Sequence, residues 1–159
     1  MGSTSASTSQ SSGKIAVALL SDTVGLDAGT ERQVIETAKR LDKDRFDVHV
    51  VCLEDSPQLH GISSICHTAV FPVASLNSLQ GIRQVLAFRK YATQHRLQIL
   101  HGYMNKTSLF AVLSALGTER IAITSIRSLG SRAMRMEISR ELVFREAGIL
   151  VPCMCKTPY

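Results

Sequence analysis

From Lys14 onward the chain alternates short apolar runs with stretches whose apolar residues recur every three or four positions, the pattern of strands alternating with helices. The first run, Ile15 to Leu20, is almost uninterrupted, which suits a strand buried on both faces of a parallel sheet. A glycine-bearing loop, Ser21 to Gly29, follows it. Thr30 then predicts a helix start, because Thr30 and Gln33 have the spacing of a capping box. Val34, Ile35, Ala38 and Leu41 fall on one face of that helix.

The alternation continues along the chain. Phe46 to Leu53 reads as a second strand, rich in valine, and "EDSPQLHGISS" as a loop on the strength of Pro57 and Gly61. Ile65 to Val73 is a third, shorter strand that Pro72 pushes toward a sheet edge or a strand terminus. A helix from Asn77 to His95 is expected to bury Leu79, Ile82 and Leu86, with Val85 and Phe88 beside them. Leu97 to His101 is the fourth strand. Leu109, Val112, Leu113 and Leu116 mark the next helix, ended by Gly117 in a left-handed cap, and Ile121 to Ile126 is the fifth strand. Past Arg127 the pattern weakens, although Ser131 to Ala147 can form an amphipathic helix through Met134, Ile138 and Leu142, with Gly148 as its stop. The whole implies an α/β fold: a Rossmann-like parallel sheet, helices on both faces, right-handed crossovers, and ligands beyond the carboxyl ends of the strands.

Composition changes this picture little. A chain of 159 residues is about one domain, and 45% hydrophobic with 19% charged residues excludes disorder for its bulk. Residues 1–13, "MGSTSASTSQSSG", are the exception: a small, polar, Ser/Thr-rich tail expected to stay disordered and set aside from the fold. The net charge of +5 includes arginine clusters at Arg83 to Arg96 and Arg127 to Arg145. These form either a solvated basic face or a surface for an anionic ligand, a membrane or nucleic acid. Cys52, Cys66, Cys153 and Cys155 match no zinc-ribbon or disulfide spacing, and favour a reducing compartment. The Cys153-x-Cys155 pair offers two thiols where a structural metal site takes about four ligands. No run approaches the roughly 20 apolar residues that span a bilayer, and the start lacks a signal peptide's basic and hydrophobic regions, so a soluble or peripheral, cytoplasmic protein is expected.

Candidate chemistry lies where the strands end. The loop "SDTVGLDAGT" carries Gly25 and Gly29 but neither the dinucleotide fingerprint nor a phosphate loop with its lysine, so turns alone explain the glycines about as well. Its continuation into a helix favours an anion-facing role. His101, in "ILHGYMNKTS", reads either as a donor to a sugar hydroxyl or phosphate oxygen, or as a structural histidine bonding a nearby carbonyl. Asn105 and Lys106 add polar contacts or simply open the next helix. Arg127 suits a phosphate or carboxylate, or a salt bridge, and Glu31 suits the dipole of its helix's first turn.

Three segments, "KIAVALLSDTVGLDAGTERQVIETAKRLDKDRFDVHVVCLEDSPQL", "LQILHGYMNKTSLFAVLSALG" and "IAITSIRSLG", together resemble the N-terminal domain of the retaining glycosyltransferases of family four, which have the GT-B fold. The resemblance covers about residues 14–130 and is most specific at "AGTERQVIETAKRLD". It implies a single half of a GT-B fold, the acceptor-side lobe of a hexosyltransferase-type enzyme that moves sugar from a nucleotide-diphosphate sugar to a sugar or lipid-linked acceptor. Carried over by residue, the family's glycine loop falls on Ala28 and Gly29, next to Thr30 and near the donor diphosphate. Its strand-end histidine falls on His101 as the catalytic candidate, and its arginine on Arg127. Together with Asn105 these are the expected substrate contacts. Ala28-Gly29 stands where the family has a glycine pair, which places a methyl group in the loop. The resemblance implies no cofactor, no metal and no nucleic-acid partner, with peripheral membrane contact compatible with a lipid-linked acceptor. It also implies a second, donor-binding domain. Residues 131–159 are expected to be a helix and tail truncated relative to the family, so the chain alone is not expected to turn over substrate. The rival expectations are a non-catalytic scaffold subunit that kept the fold and a stand-alone phosphate-binding module.

Overall fold

The computed structural model describes residues 13–25 and 29–125. Five parallel strands form one sheet: β1 (Ile15–Ser21), β2 (Phe46–Cys52), β3 (His67–Val70), β4 (Ile99–Tyr103) and β5 (Ile121–Ser125). Their order, β3-β2-β1-β4-β5, reverses at β1, which pairs with β2 on one side and β4 on the other. Four helices connect them: α1 (Gly29–Arg40), α2 (Pro57–Gly61), α3 (Leu79–Gln94) and α4 (Asn105–Ala115). The Rossmann-like sheet expected from the alternation is thus present. β1 is buried from Ala16 to Ser21, as its uninterrupted apolar run requires.

Two cores flank the sheet. Val17, Leu19, Val48 and Val50 meet Val34, Ile35 and Ala38 of α1 and Leu59 of α2 on one face. On the other face Ala18, Leu20, Val51 and Leu100 meet Phe88 and Ala92 of α3 and Phe110 and Ala111 of α4. Such alternation along β1 and β2 is the period-two consequence of a strand covered on both sides.

Several local expectations need correction. The segment after β2 is not all loop, since Pro57 opens the short helix α2, where its missing N–H is not needed. β3 is only His67–Val70, and it is an edge strand, as Pro72 suggests. β4 runs two residues past His101. α3 buries the opposite stripe from the one its leucines suggest: Leu79, Ile82 and Leu86 are exposed, whereas Gly81, Phe88 and Ala92 are buried. Both stripes have helical spacing, and small residues decide between them. A methyl group at Gly81 would collide with the Ser75 carbonyl oxygen and Leu76 Cα, so only the Gly81 face lets the helix approach the chain beneath it. Phe88 then fills the core against Phe71 and Phe110, with ring centroids 5.2 Å away in both cases. Nor does Thr30 cap α1. The helix begins at Gly29, the Thr30 hydroxyl points to Met104 Sδ, and Gln33 Oε1 is buried without a hydrogen-bond partner.

His49 of β2 is fully buried on the α3 face, where its Nδ1 lies 2.7 Å from the Tyr91 hydroxyl. Burial holds its imidazole below the ordinary histidine range, so the ring is neutral near pH 7. Burial pushes the Tyr91 phenol up to about 12, which keeps its proton in place. Cys52 is likewise buried, its thiol pushed up to about 12 by burial and then by the charges of Glu31, Asp22 and Asp55, so it is not a reactive thiol. No described helix is long and apolar enough to cross a membrane.

Candidate functional site

The reversal of strand order between β1 and β4 opens a crevice at their carboxyl ends, the place where ligands of open parallel sheets bind. The amino termini of α1 and α4 converge there, joined by the contact of Thr30 Oγ1 with Met104 Sδ at 3.7 Å. α4 has no side-chain cap, so the first-turn N–H groups of Asn105, Lys106 and Thr107 have no partner within the helix. Met104, which precedes them, holds φ 76° and ψ 169°, a conformation that costs a non-glycine residue on the order of 1–3 kcal/mol. Surrounding bonds enforce it: Met104 N–H donates to the Ser125 carbonyl at 3.0 Å, and Ser108 N–H to the Met104 carbonyl at 3.0 Å. The Thr107 hydroxyl donates back to the Tyr103 carbonyl, which ties α4 to the end of β4.

Gly102 permits this turn. A Cβ there would lie 2.5 Å from Ser108 Cα and 2.6 Å from both Ser108 N and the Thr107 carbonyl oxygen. The glycine is therefore needed for the close approach of α4.

Carboxylates dominate the loops at the ends of β1 and β2. Glu31, in the first turn of α1, accepts a 2.5 Å hydrogen bond from Thr23 Oγ1, and a side chain at Gly25 would run into its carboxylate. Thr23 and Gly25, at the start of the β1–α1 connection, are thus folded onto Glu31, which does more than complement the helix dipole. Lys106 gathers the remaining strand ends: its Nζ lies 3.3 Å from Asp22 Oδ1, 3.2 Å from Glu54 Oε1 and 3.4 Å from the Val73 carbonyl. Burial pushes the Asp22 carboxyl up, against the pull of Lys106, with Glu54 and Glu31 adding to the rise. Burial alone would lower Lys106, but the Glu54 hydrogen bond and the Asp22 charge outweigh it and hold the ammonium above its ordinary value.

Lys106→Met leaves two carboxylates facing each other without their cation. It is expected to lower stability near neutral pH by about 1 kcal/mol, a figure kept small because the pair is partly solvated. Asp22 titrates above its unfolded value, so the destabilisation is present when it is ionised and fades as pH falls through its raised folded pKa. Urea unfolding of both proteins near pH 7 and about pH 4 should show the gap closing at the lower pH.

The expected site residues are placed as follows. Gly29 is the exposed first residue of α1 and Thr30 the second; Asn105 is the exposed first residue of α4. These three flank the crevice. His101 sits inside β4, its Nε2 2.8 Å from Ser125 Oγ and its ring stacked on Tyr103 at 4.2 Å. Ala28, Arg127, the helix expected over 131–147 and Cys153-x-Cys155 lie outside the described residues. Sequence reasoning missed the Thr23–Glu31 bond, which depends on how one β–α connection folds back on its own helix, and the Lys106 tie, which joins strand ends that only the sheet order brings together.

Residues 28–141 match the family model of Glycosyltransferase Family 4, which covers more than half of the chain. The chain belongs to glycosyltransferase family 4. No curated protein sequence matches it. Among solved structures, this family 4 domain is similar to HepE of Anabaena, solved in complex with UDP and glucose, with a TM-score of 0.63 at 19% identity. The match covers 86% of this chain and 37% of HepE. It is also similar to the sucrose-phosphate synthase of Thermosynechococcus elongatus, with a TM-score of 0.55 at 14% identity over 77% of this chain and 35% of that one. At such identities the likeness is one of fold, that of a Rossmann-like half of a GT-B glycosyltransferase. The family 4 chain spans little more than a third of the length of either neighbour.

Proposed function

We propose that residues 14–130 are the acceptor-side lobe of a retaining, hexosyltransferase-type family 4 glycosyltransferase, which works with a donor-binding domain to move sugar from a nucleotide-diphosphate sugar. The observation that carries this reading is the meeting of two helix amino termini at the reversal of the sheet, in a chain of this family. The exposed first turn of α1, at Gly29 and Thr30 beside Ala28, offers N–H groups to the donor diphosphate. Asn105 and the open first turn of α4 add donors from the other side, and Arg127 supplies the cation. Asp22, Thr23, Glu31 and Glu54 make the β1 and β2 side of the crevice acidic and rich in acceptors. That chemistry suits the hydroxyls of a sugar acceptor better than a second phosphate. An acceptor linked to lipid accords with a cytoplasmic chain in peripheral contact with a membrane.

The test pairs the purified chain with a separately expressed donor-binding domain of the same family. It then follows calorimetric binding and sugar release over a panel of nucleotide-diphosphate sugars. Turnover or hydrolysis that needs both parts is the expected result. A folded chain that yields neither binding nor turnover in either arrangement overturns it. That outcome would favour a non-catalytic interaction subunit, for which the exposed Leu79, Ile82 and Leu86 of α3 provide an apolar surface.

A further inference from the structure

At the opposite, amino-terminal edge of the sheet, two of the chain's five histidines meet one carboxylate and a third packs against their rings. Asp47 and His49 lie two positions apart on β2 and so share the α3 face of the sheet. His67, at the start of β3, is paired in register with His49, and the two rings stack at 4.6 Å. His95 caps the carboxyl end of α3, its ring centroid 4.9 Å from that of His49. The crevice of the proposed transferase uses none of these residues.

We propose that Asp47, His49 and His67, with His95 beside them, form a binding site for a zinc-class divalent cation. The ligand atoms of the first three all lie within 4.8 Å of one another. His49 Nε2 is 3.5 Å from Asp47 Oδ2, and His67 Nε2 is 3.4 Å from Asp47 Oδ1. Zinc bonds of about 2.0–2.2 Å to nitrogen and carboxylate oxygen place neighbouring ligands of a tetrahedron roughly 3.3–3.5 Å apart, which is the spacing found. Both Nε2 atoms therefore face the same carboxylate, and a tilt of the exposed His67 ring brings the third edge to length.

The state of His49 is the independent sign that something belongs there. Its side chain is 0% exposed, and its Nε2 is buried with no hydrogen-bond partner. Its other nitrogen is committed to the Tyr91 hydroxyl, the kind of outer bond that fixes the tautomer of a metal-bound histidine. When Nδ1 donates to Tyr91, Nε2 presents its lone pair to a cation; the 3.5 Å to Asp47 Oδ2 is longer than a hydrogen bond, so in either tautomer the buried Nε2 is left without a protein partner. His95 and water are the groups available for the remaining coordination positions, and a surface cleft lined by Lys14, Asp47, His95 and Arg96 gives the ion a way in.

The experiment uses the full chain, untagged and stripped of metal with a chelator, in a Cys153→Ser/Cys155→Ser background so that tail thiols supply no ligands. Cobalt(II) is titrated while its visible d–d absorption is followed, and zinc then competes it out. One equivalent of cobalt is expected, with a rise in melting temperature on zinc addition. His67→Ala and Asp47→Asn, both at exposed or half-exposed positions, are each expected to weaken uptake by at least about tenfold while circular dichroism stays native. His60→Ala, on α2, keeps full uptake. Uptake well below one equivalent, or unchanged affinity in both His67→Ala and Asp47→Asn, overturns the site.

Discussion

Gly102→Ala is expected to lower the stability of the domain by about 3 kcal/mol, a cooperative loss that urea unfolding would read as a lower midpoint at an unchanged slope. The added methyl meets backbone rather than a side-chain end: Ser108 Cα at 2.5 Å, Ser108 N at 2.6 Å and the Thr107 carbonyl oxygen at 2.6 Å. Relief requires α4 to move off β4 as a unit. That motion breaks the bond from Ser108 Oγ to the Gly102 carbonyl, 3.1 Å, and draws Phe110 and Ala111 out of the core. It also releases the strained Met104 turn. Because α4 presents its amino terminus to the crevice, the variant should lose ligand binding along with stability. Gly117→Ala provides the contrast. That glycine has φ 67° but nothing within 4 Å, so its replacement is expected to cost only about 1 kcal/mol of backbone strain. Equal losses at the two glycines would show that α4 does not rest on the close approach at Gly102.

The sheet was legible because each of its strands announces itself. Ile15 to Leu20 is apolar throughout since both its faces are covered, and β2 sends Val48 and Val50 to one core and Val51 to the other. α3 was legible in extent but not in orientation. Leu79, Ile82 and Leu86 carry more apolar surface than Gly81 and Ala92, yet close packing selects the smaller residues, and no count of hydrophobic positions contains that information. The position of the crevice followed from the general behaviour of parallel sheets, and Gly29, Thr30 and Asn105 fell beside it for that reason. What decides its electrostatics was hidden. Lys106 follows Asn105 in the sequence and reads as part of a helix start. Its charge is spent on Asp22 and Glu54, which only the order β2-β1-β4 brings within reach. The histidine cluster was hidden for the same reason. His49, His67 and His95 are 18 and 28 residues apart, at no metal-ligand spacing, and meet only through the pairing of β2 with β3 and the return of α3 over that edge.

His101→Ala is expected to reduce transfer by about 100-fold when the chain is supplied with a donor-binding domain, while changing stability by only about 1 kcal/mol. The residue is half-buried on β4, two positions before the strand ends, with Leu19 of β1 on one side and Ile123 of β5 on the other. Its ring is held in place by the stack on Tyr103 and by Ser125 Oγ at 2.8 Å from Nε2, so its orientation is set before any substrate arrives. A pre-set imidazole can hold a sugar hydroxyl without losing side-chain freedom on binding, and that advantage belongs to the reacting complex. A histidine present only to bridge β4 and β5 would behave differently, and Ser125→Ala separates the two cases. Removing the serine hydroxyl breaks the same bond but leaves the ring. If the ring acts on the sugar, His101→Ala should lower kcat/KM far more than Ser125→Ala, which should lose only a few-fold. If the bond itself is what matters, the two variants should fall together, in activity and in melting temperature alike.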